Sequence, residues 1–163
     1  MRKLDGIWRP TEKSWGLVDI ASDLPVFPEK LQSAHPVIIS DWEVHDIGIQ
    51  LVRNYLKDEE YEIQSWQSDI GVNPSISCIK NGIQYAVVVR TSRKGPDIAV
   101  RPENALKIAR FLKERSIIPL FVGLSIAGEN DLFDPSFEHL TKRIYRGERI
   151  LSSTVELQQL VLN

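Results

Sequence analysis

The sequence predicts an α/β layered domain, a central mixed sheet with elements in the order helix, strand, strand, strand, helix, strand. Three observations carry this. Ser40 and Glu43 form a capping box ahead of Val44, Ile47, Leu51 and Tyr55, which recur at steps of three and four like a buried helical face. Asn81-Gly82 stands between two apolar runs, and both residues of a type I′ turn need positive φ, so the pair reads as a hairpin. A helical stretch then separates the second run from another apolar strand at 117–126, which permits a parallel crossover.

Residues 1–36 form an arm. They hold Trp8, Trp15, Pro10, Pro25, Pro28 and Pro36, with turns and extended pieces but little helical periodicity. The core is expected over 37–127. Its first helix runs 41–57, and Gly48 on its buried face leaves room for close approach of a neighbouring element. Residues 61–66 follow as a strand. Residues 76–80 and 83–91 are the hairpin strands, the second so apolar at its centre that both of its faces should be buried. Residues 92–101, with Gly95-Pro96, read as a loop, and Pro102 suits the first turn of a helix ending near 115. That helix carries Ala105, Ile108, Ala109 and Leu112 on one side. Residues 128–163 are a C-terminal extension, with a short helix over 136–145 and a strand near 150–155.

A chain of 163 residues holds one domain with a real core and little beyond it. A net charge of −2 supplies no global positive excess to draw nucleic acid, so only a local patch could serve that role. The lone Cys78 excludes an intramolecular disulfide and a cysteine-cluster metal site, in keeping with a cytoplasmic protein. Met1-Arg2-Lys3-Leu4 begins like the basic head of a signal peptide, but Asp5-Gly6 follows instead of an apolar run. No segment is long and apolar enough to span a membrane. His35 and His139 share no ligand-like spacing with each other or with Cys78, so no metal site of the zinc kind is expected. Gly123-x-Ser125-x-x-Gly128 is not a nucleophile elbow, and no P-loop or dinucleotide fingerprint is present.

The element order and the segment from Asn73-Pro74-Ser75 through the hairpin to Arg90 resemble the core of the PD-(D/E)XK nuclease superfamily, over roughly residues 40–127. The resemblance implies a restriction-endonuclease-like fold. It also implies a Mg²⁺ site built from a Pro-Asp near the second strand and an acid-x-Lys on the third, often with an acid from the first helix. Pro74 matches the proline. Ser75 stands where the family has its metal-binding Asp, Val88 where it has the second acid, and Arg90 where it has the catalytic Lys. Strand alternation puts Ala86, Val88 and Arg90 on one face, so positions 88 and 90 would point into one site. Mg²⁺ needs hard oxygen ligands, which Ser75 and Val88 do not supply as carboxylates do. Arg90 keeps a positive charge suited to phosphate but is a poor general base.

The remaining candidates are open to functional and to ordinary structural readings. Arg90, Arg93, Lys94 and Arg101 form either a phosphate-binding patch or an ordinary solvated edge. Lys142, Arg143, Arg146 and Arg149 form a second basic group, interrupted by Glu148. His45 and Asp46 are either cleft residues or part of the electrostatics of a helix start. Asp69 and Glu103 are either relocated acids or turn and helix-start residues. Trp66 is either a stacking platform for a base or core filling. Trp8 and Trp15 anchor the arm in its own domain, in a homodimer groove or in a partner protein.

The sequence therefore favours a catalytically inactive nuclease-fold protein, with no cofactor and no bound metal, that acts by binding DNA, RNA or a partner protein. A metal-dependent nuclease with carboxylates relocated to Asp46, Asp69 or Glu103 is the enzyme alternative, and it alone would need Mg²⁺. A protein-interaction module with no nucleic-acid role is the third.

Overall fold

The capping box forms as the sequence requires. The Ser40 backbone N–H donates to Glu43 Oε2 at 2.8 Å, and the Glu43 N–H donates to Ser40 Oγ at 3.2 Å. It opens helix α1, Asp41–Asp58. This computed structural model describes residues 2–4, 7–9, 24, 37–93, 99–129 and 143–161. The chain divides into two compact units, Met1–Val37 and Ile38–Asn163. In the first, β1 (Arg2–Leu4) and β2 (Ile7–Arg9) pair antiparallel. The expected anchoring of Trp8 and Trp15 lies outside what is described there.

The second unit carries α1, β3 (Glu62–Trp66), β4 (Ile76–Lys80), β5 (Ile83–Arg93), α2 (Ala105–Lys113), β6 (Ile118–Gly128), β7 (Ile150–Ser152) and β8 (Gln158–Gln159). It is a mixed α/β unit. One sheet runs in the order β3-β4-β5-β6-β7, and β8 also pairs with β6. The β5–β6 pair is parallel and the others antiparallel. Asn81 and Gly82 join β4 to β5 with φ of 52° and 76°, the left-handed pair that a type I′ turn needs.

The two helices pack on opposite faces of the sheet. Ile49, Val52 and Leu56 of α1 cluster with Ile76, Val87, Val89, Val122, Leu124 and Ile126. Ala109 of α2 clusters with Val88, Phe121 and Leu160. Ala86, Val87, Val88 and Val89 are all buried, so the centre of β5 is covered on both faces. Full burial of each such aliphatic side chain contributes about 1.5–3 kcal/mol before chain entropy is subtracted.

Three expectations are corrected. The buried stripe of α1 is Val44, His45, Gly48, Ile49, Val52 and Leu56, while Ile47, Leu51 and Tyr55 flank it half-buried. The apolar arc is wider than one stripe, and the sheet takes the 45/49/52/56 side, which carries a histidine inward. Helix α2 is shorter than 102–115. The proposed helix over 136–145 falls outside the described residues except at its end, and that end is not helical. The Ile39 N–H donates to the Ile144 carbonyl at 2.9 Å and Ile38 bridges Tyr145, which draws 143–145 into extended pairing. Among the described residues no helix is long and apolar enough to cross a membrane.

Candidate functional site

Strand β4 stops short of its neighbour. Ile76 pairs with Val87, whereas β5 runs on to Arg93 with β6 as its parallel partner. The segment between β3 and β4 fills part of the resulting notch. The Ser75 N–H donates to the Val87 carbonyl at 3.0 Å, and Ser75 Oγ accepts the Val89 N–H at 3.1 Å. The buried Ser75 thus continues the ladder with its own hydroxyl. Pro74 follows Asn73 through a cis peptide bond.

Arg90 closes the notch. Its Nη1 donates to the Val89 carbonyl at 2.8 Å and its Nη2 to Asn73 Oδ1 at 3.0 Å. Burial pulls its pKa below the ordinary arginine value, because desolvation disfavours the charged form. Among the described residues no carboxylate pairs with it.

Helix α1 lays His45 against the same strand. The ring is buried, and Nδ1 lies 3.3 Å from Thr91 Oγ1. Gly48, one turn on, is what permits this approach: a Cβ there would sit 2.3 Å from Thr91 Cγ2. Among the described residues His45 Nε2 is buried with no hydrogen-bond partner. Burial lowers the imidazole pKa and the nearby Arg90 charge lowers it further, while Asp46 and Asp69 oppose both. The ring is therefore neutral near pH 7. Asp46 Oδ1 accepts from Ser68 Oγ and, at 3.5 Å, from Gln50 Nε2. Asp69 Oδ1 accepts the Gly71 N–H at 2.8 Å.

The residues expected from the sequence separate into two groups. Asp46 and Arg90 both reach the loop that carries Asp69, Asp46 through Ser68 and Arg90 through Asn73, and all three act on His45. Val88 is fully buried against Phe121, Ala109 and Leu160 on the α2 side of the sheet, the side on which alternation also starts the Arg90 side chain. The Arg90 side chain instead turns to the strand edge, where Asn73 offers an acceptor. Glu103 is exposed in the turn ahead of α2, and α2 packs on the face opposite His45. Among the described residues no three His, Cys, Asp or Glu side chains are grouped to hold a metal ion.

Two of the other cations expected beside Arg90 have partners of their own. Arg93 Nε pairs with Asp41 Oδ1 at 2.9 Å and its Nη2 donates to the Ile39 carbonyl at 2.6 Å, tying β5 to the start of α1. Arg101 lies over the Phe121 ring on the other face and donates to Gln158 Oε1 at 2.9 Å. Lys94 lies outside the described residues. In the second basic group Arg146 pairs with Glu43 at 2.7 Å and Arg149 with Glu129 at 3.5 Å, and Lys142 is outside the described residues.

Trp66, at the end of the edge strand β3, is half exposed rather than core filling. The Arg53 guanidinium of α1 stacks over its ring, 3.5 Å from the centroid. Sequence reasoning missed this pair, and it missed the contact between His45 and Thr91. The spacing of His45 with Ile49, Val52 and Leu56 is the signal that could have placed the histidine inward.

No curated protein matches the chain. A family match does exist, and it covers nearly all of α1, the notch and the strands that frame it. Residues 42–160 match the family described as Domain of unknown function (DUF8840), and the chain belongs to that family.

Proposed function

We propose that this protein is a non-cleaving, nucleic-acid-binding protein on a restriction-endonuclease-like core, and that it grips phosphate through Arg90 where β4 ends. One observation carries the reading. Arg90 is a half-buried guanidinium held by two neutral acceptors, with no carboxylate partner among the described residues. A desolvated cation left in that state is costly, and a phosphate oxygen pair would satisfy its remaining donors in a bidentate fork. The element order from α1 to β6 supports the relation to the nuclease superfamily. The burial of Ser75 and Val88 supports the loss of its metal chemistry, because Ser75 Oγ is already engaged and Val88 packs against α2.

A nuclease with relocated acids is the second reading, and it is favoured by Asp46 and Asp69 acting on the same buried His45 as Arg90 does. The test is a binding and cleavage assay on labelled DNA and RNA with added Mg²⁺ or Mn²⁺. The first reading expects salt-sensitive binding, weakened by Arg90→Gln, with substrates left intact. Metal-dependent cleavage lost in Asp46→Asn or Asp69→Asn would replace it with the second. Failure to bind any nucleic acid would leave a protein-interaction role.

A further inference from the structure

Trp66 leads into the loop between β3 and β4, and Arg90 donates to Asn73 near the end of that loop. We infer that Trp66 and Arg90 are two contact points for one single strand, Trp66 stacking a base while Arg90 holds the phosphate of a neighbouring nucleotide. This rests on the nucleic-acid reading above and adds the form of nucleic acid that is bound.

Trp66 is 50% exposed, and Arg53 covers one face of its indole from 3.5 Å. A guanidinium against the ring holds it in place and polarises it, which suits a platform for a base. Arg53 is itself held by Gln50 Oε1, and no carboxylate pairs with it among the described residues. Its Nε is buried without a partner among the described residues. From Trp66 a chain of polar contacts runs back to the notch through Arg53, Gln50, Asp46 and Ser68.

Strand register sets the spacing. Trp66 pairs with Ile76, Ile76 with Val87, and Arg90 lies three residues further along β5. Two strand separations across and three residues along place the two backbones about 14 Å apart. A base on Trp66 and a phosphate on Arg90 would therefore belong to different nucleotides of one extended strand.

Charge argues for stacking as well. Asp46 and Asp69 oppose the field of Arg90 at His45, so Coulomb attraction alone gives a polyanion little reason to stay. The indole supplies the missing affinity, and only unpaired bases expose their faces to it. A duplex keeps them stacked inside.

The experiment compares a fluorescein-labelled mixed-sequence single strand with its duplex, by anisotropy and by tryptophan emission of the full chain. The single strand should bind tighter and quench emission. The chain has four tryptophans, so Trp66→Phe assigns the signal. That variant should keep most of the binding and lose most of the quench. Trp66→Ala should weaken single-strand binding by roughly five- to a hundred-fold, with its fold checked by circular dichroism. Equal binding of duplex and single strand, or a quench that survives in Trp66→Phe, would overturn the stacking inference and leave the Arg90 reading standing. Absence of binding by either form overturns both.

Discussion

Gly48 offers a direct test of how α1 is set against β5. An alanine Cβ there would lie 2.3 Å from Thr91 Cγ2, against roughly 3.5–4.0 Å for an ordinary carbon contact. Thr91 is β-branched and sits in a strand paired to Leu124, so its methyl has little freedom to yield. Either α1 moves outward or Thr91 rotates, and rotation disturbs its contact with His45 Nδ1 at 3.3 Å. Overpacking of this kind costs about 1–3 kcal/mol. Replacing glycine within a helix returns about 1 kcal/mol through propensity. Gly48→Ala should therefore lose up to about 2 kcal/mol, a fall in Tm of roughly 2–4 °C for each kcal/mol. Thr91→Ser removes the methyl and keeps the hydroxyl. In that background Gly48→Ala should be neutral or stabilising by up to about 1 kcal/mol. Urea and thermal unfolding of the four proteins in this double-mutant cycle measure the coupling directly. If Gly48→Ala alone stabilises the protein, or changes it equally in both backgrounds, the close approach is wrong.

Further outcomes follow from the same contacts. Ser75→Ala should cost about 1–3 kcal/mol in urea unfolding, because the buried Val89 N–H loses its acceptor. Ser75→Asp should destabilise the protein without creating Mg²⁺ affinity in calorimetry, since Val88 packs against α2. Glu43 is held at about 2, against an ordinary 4.5, first by the Ser40 backbone N–H and then by Arg146 and the Ser40 hydroxyl. A depressed carboxyl stabilises the fold above its ordinary pKa and loses that contribution as pH falls through the folded value. Glu43→Gln should therefore flatten acid unfolding between pH 4.5 and 2, seen by circular dichroism. For His45 the folded pKa is also depressed, so the unfolded chain takes up the proton first. Stability should fall as pH drops below 6.5, and His45→Gln should remove that slope.

Much of the fold was legible because local signals agreed with it. The capping box, the Asn81-Gly82 turn and the alternating burial of β4 each depend on neighbours close in sequence. Gly48 also read correctly, since a glycine on a buried helical face has few other uses. The candidate site was less legible because it depends on where β4 stops. Strand alternation placed Val88 and Arg90 on one face, but a long side chain at the end of a pairing strand can swing to the edge, and Asn73 draws it there. His45 looked like a helix-start residue until the sheet selected which side of α1 to bury. Arg93 and Arg101 looked like companions of Arg90, yet the sheet divides them between its two faces. No spacing rule conveys that division.

The central claim is that Arg90 meets a phosphate, and the slope of log K against log salt tests it most directly. The measurement uses one single-stranded oligonucleotide with the wild type and Arg90→Gln, without divalent metal. Each phosphate contact to a single strand contributes about 0.7 to the slope. The account predicts weaker binding by Arg90→Gln and a slope shallower by about 0.7. Identical slopes for the two proteins, or no binding by the wild type, would contradict it.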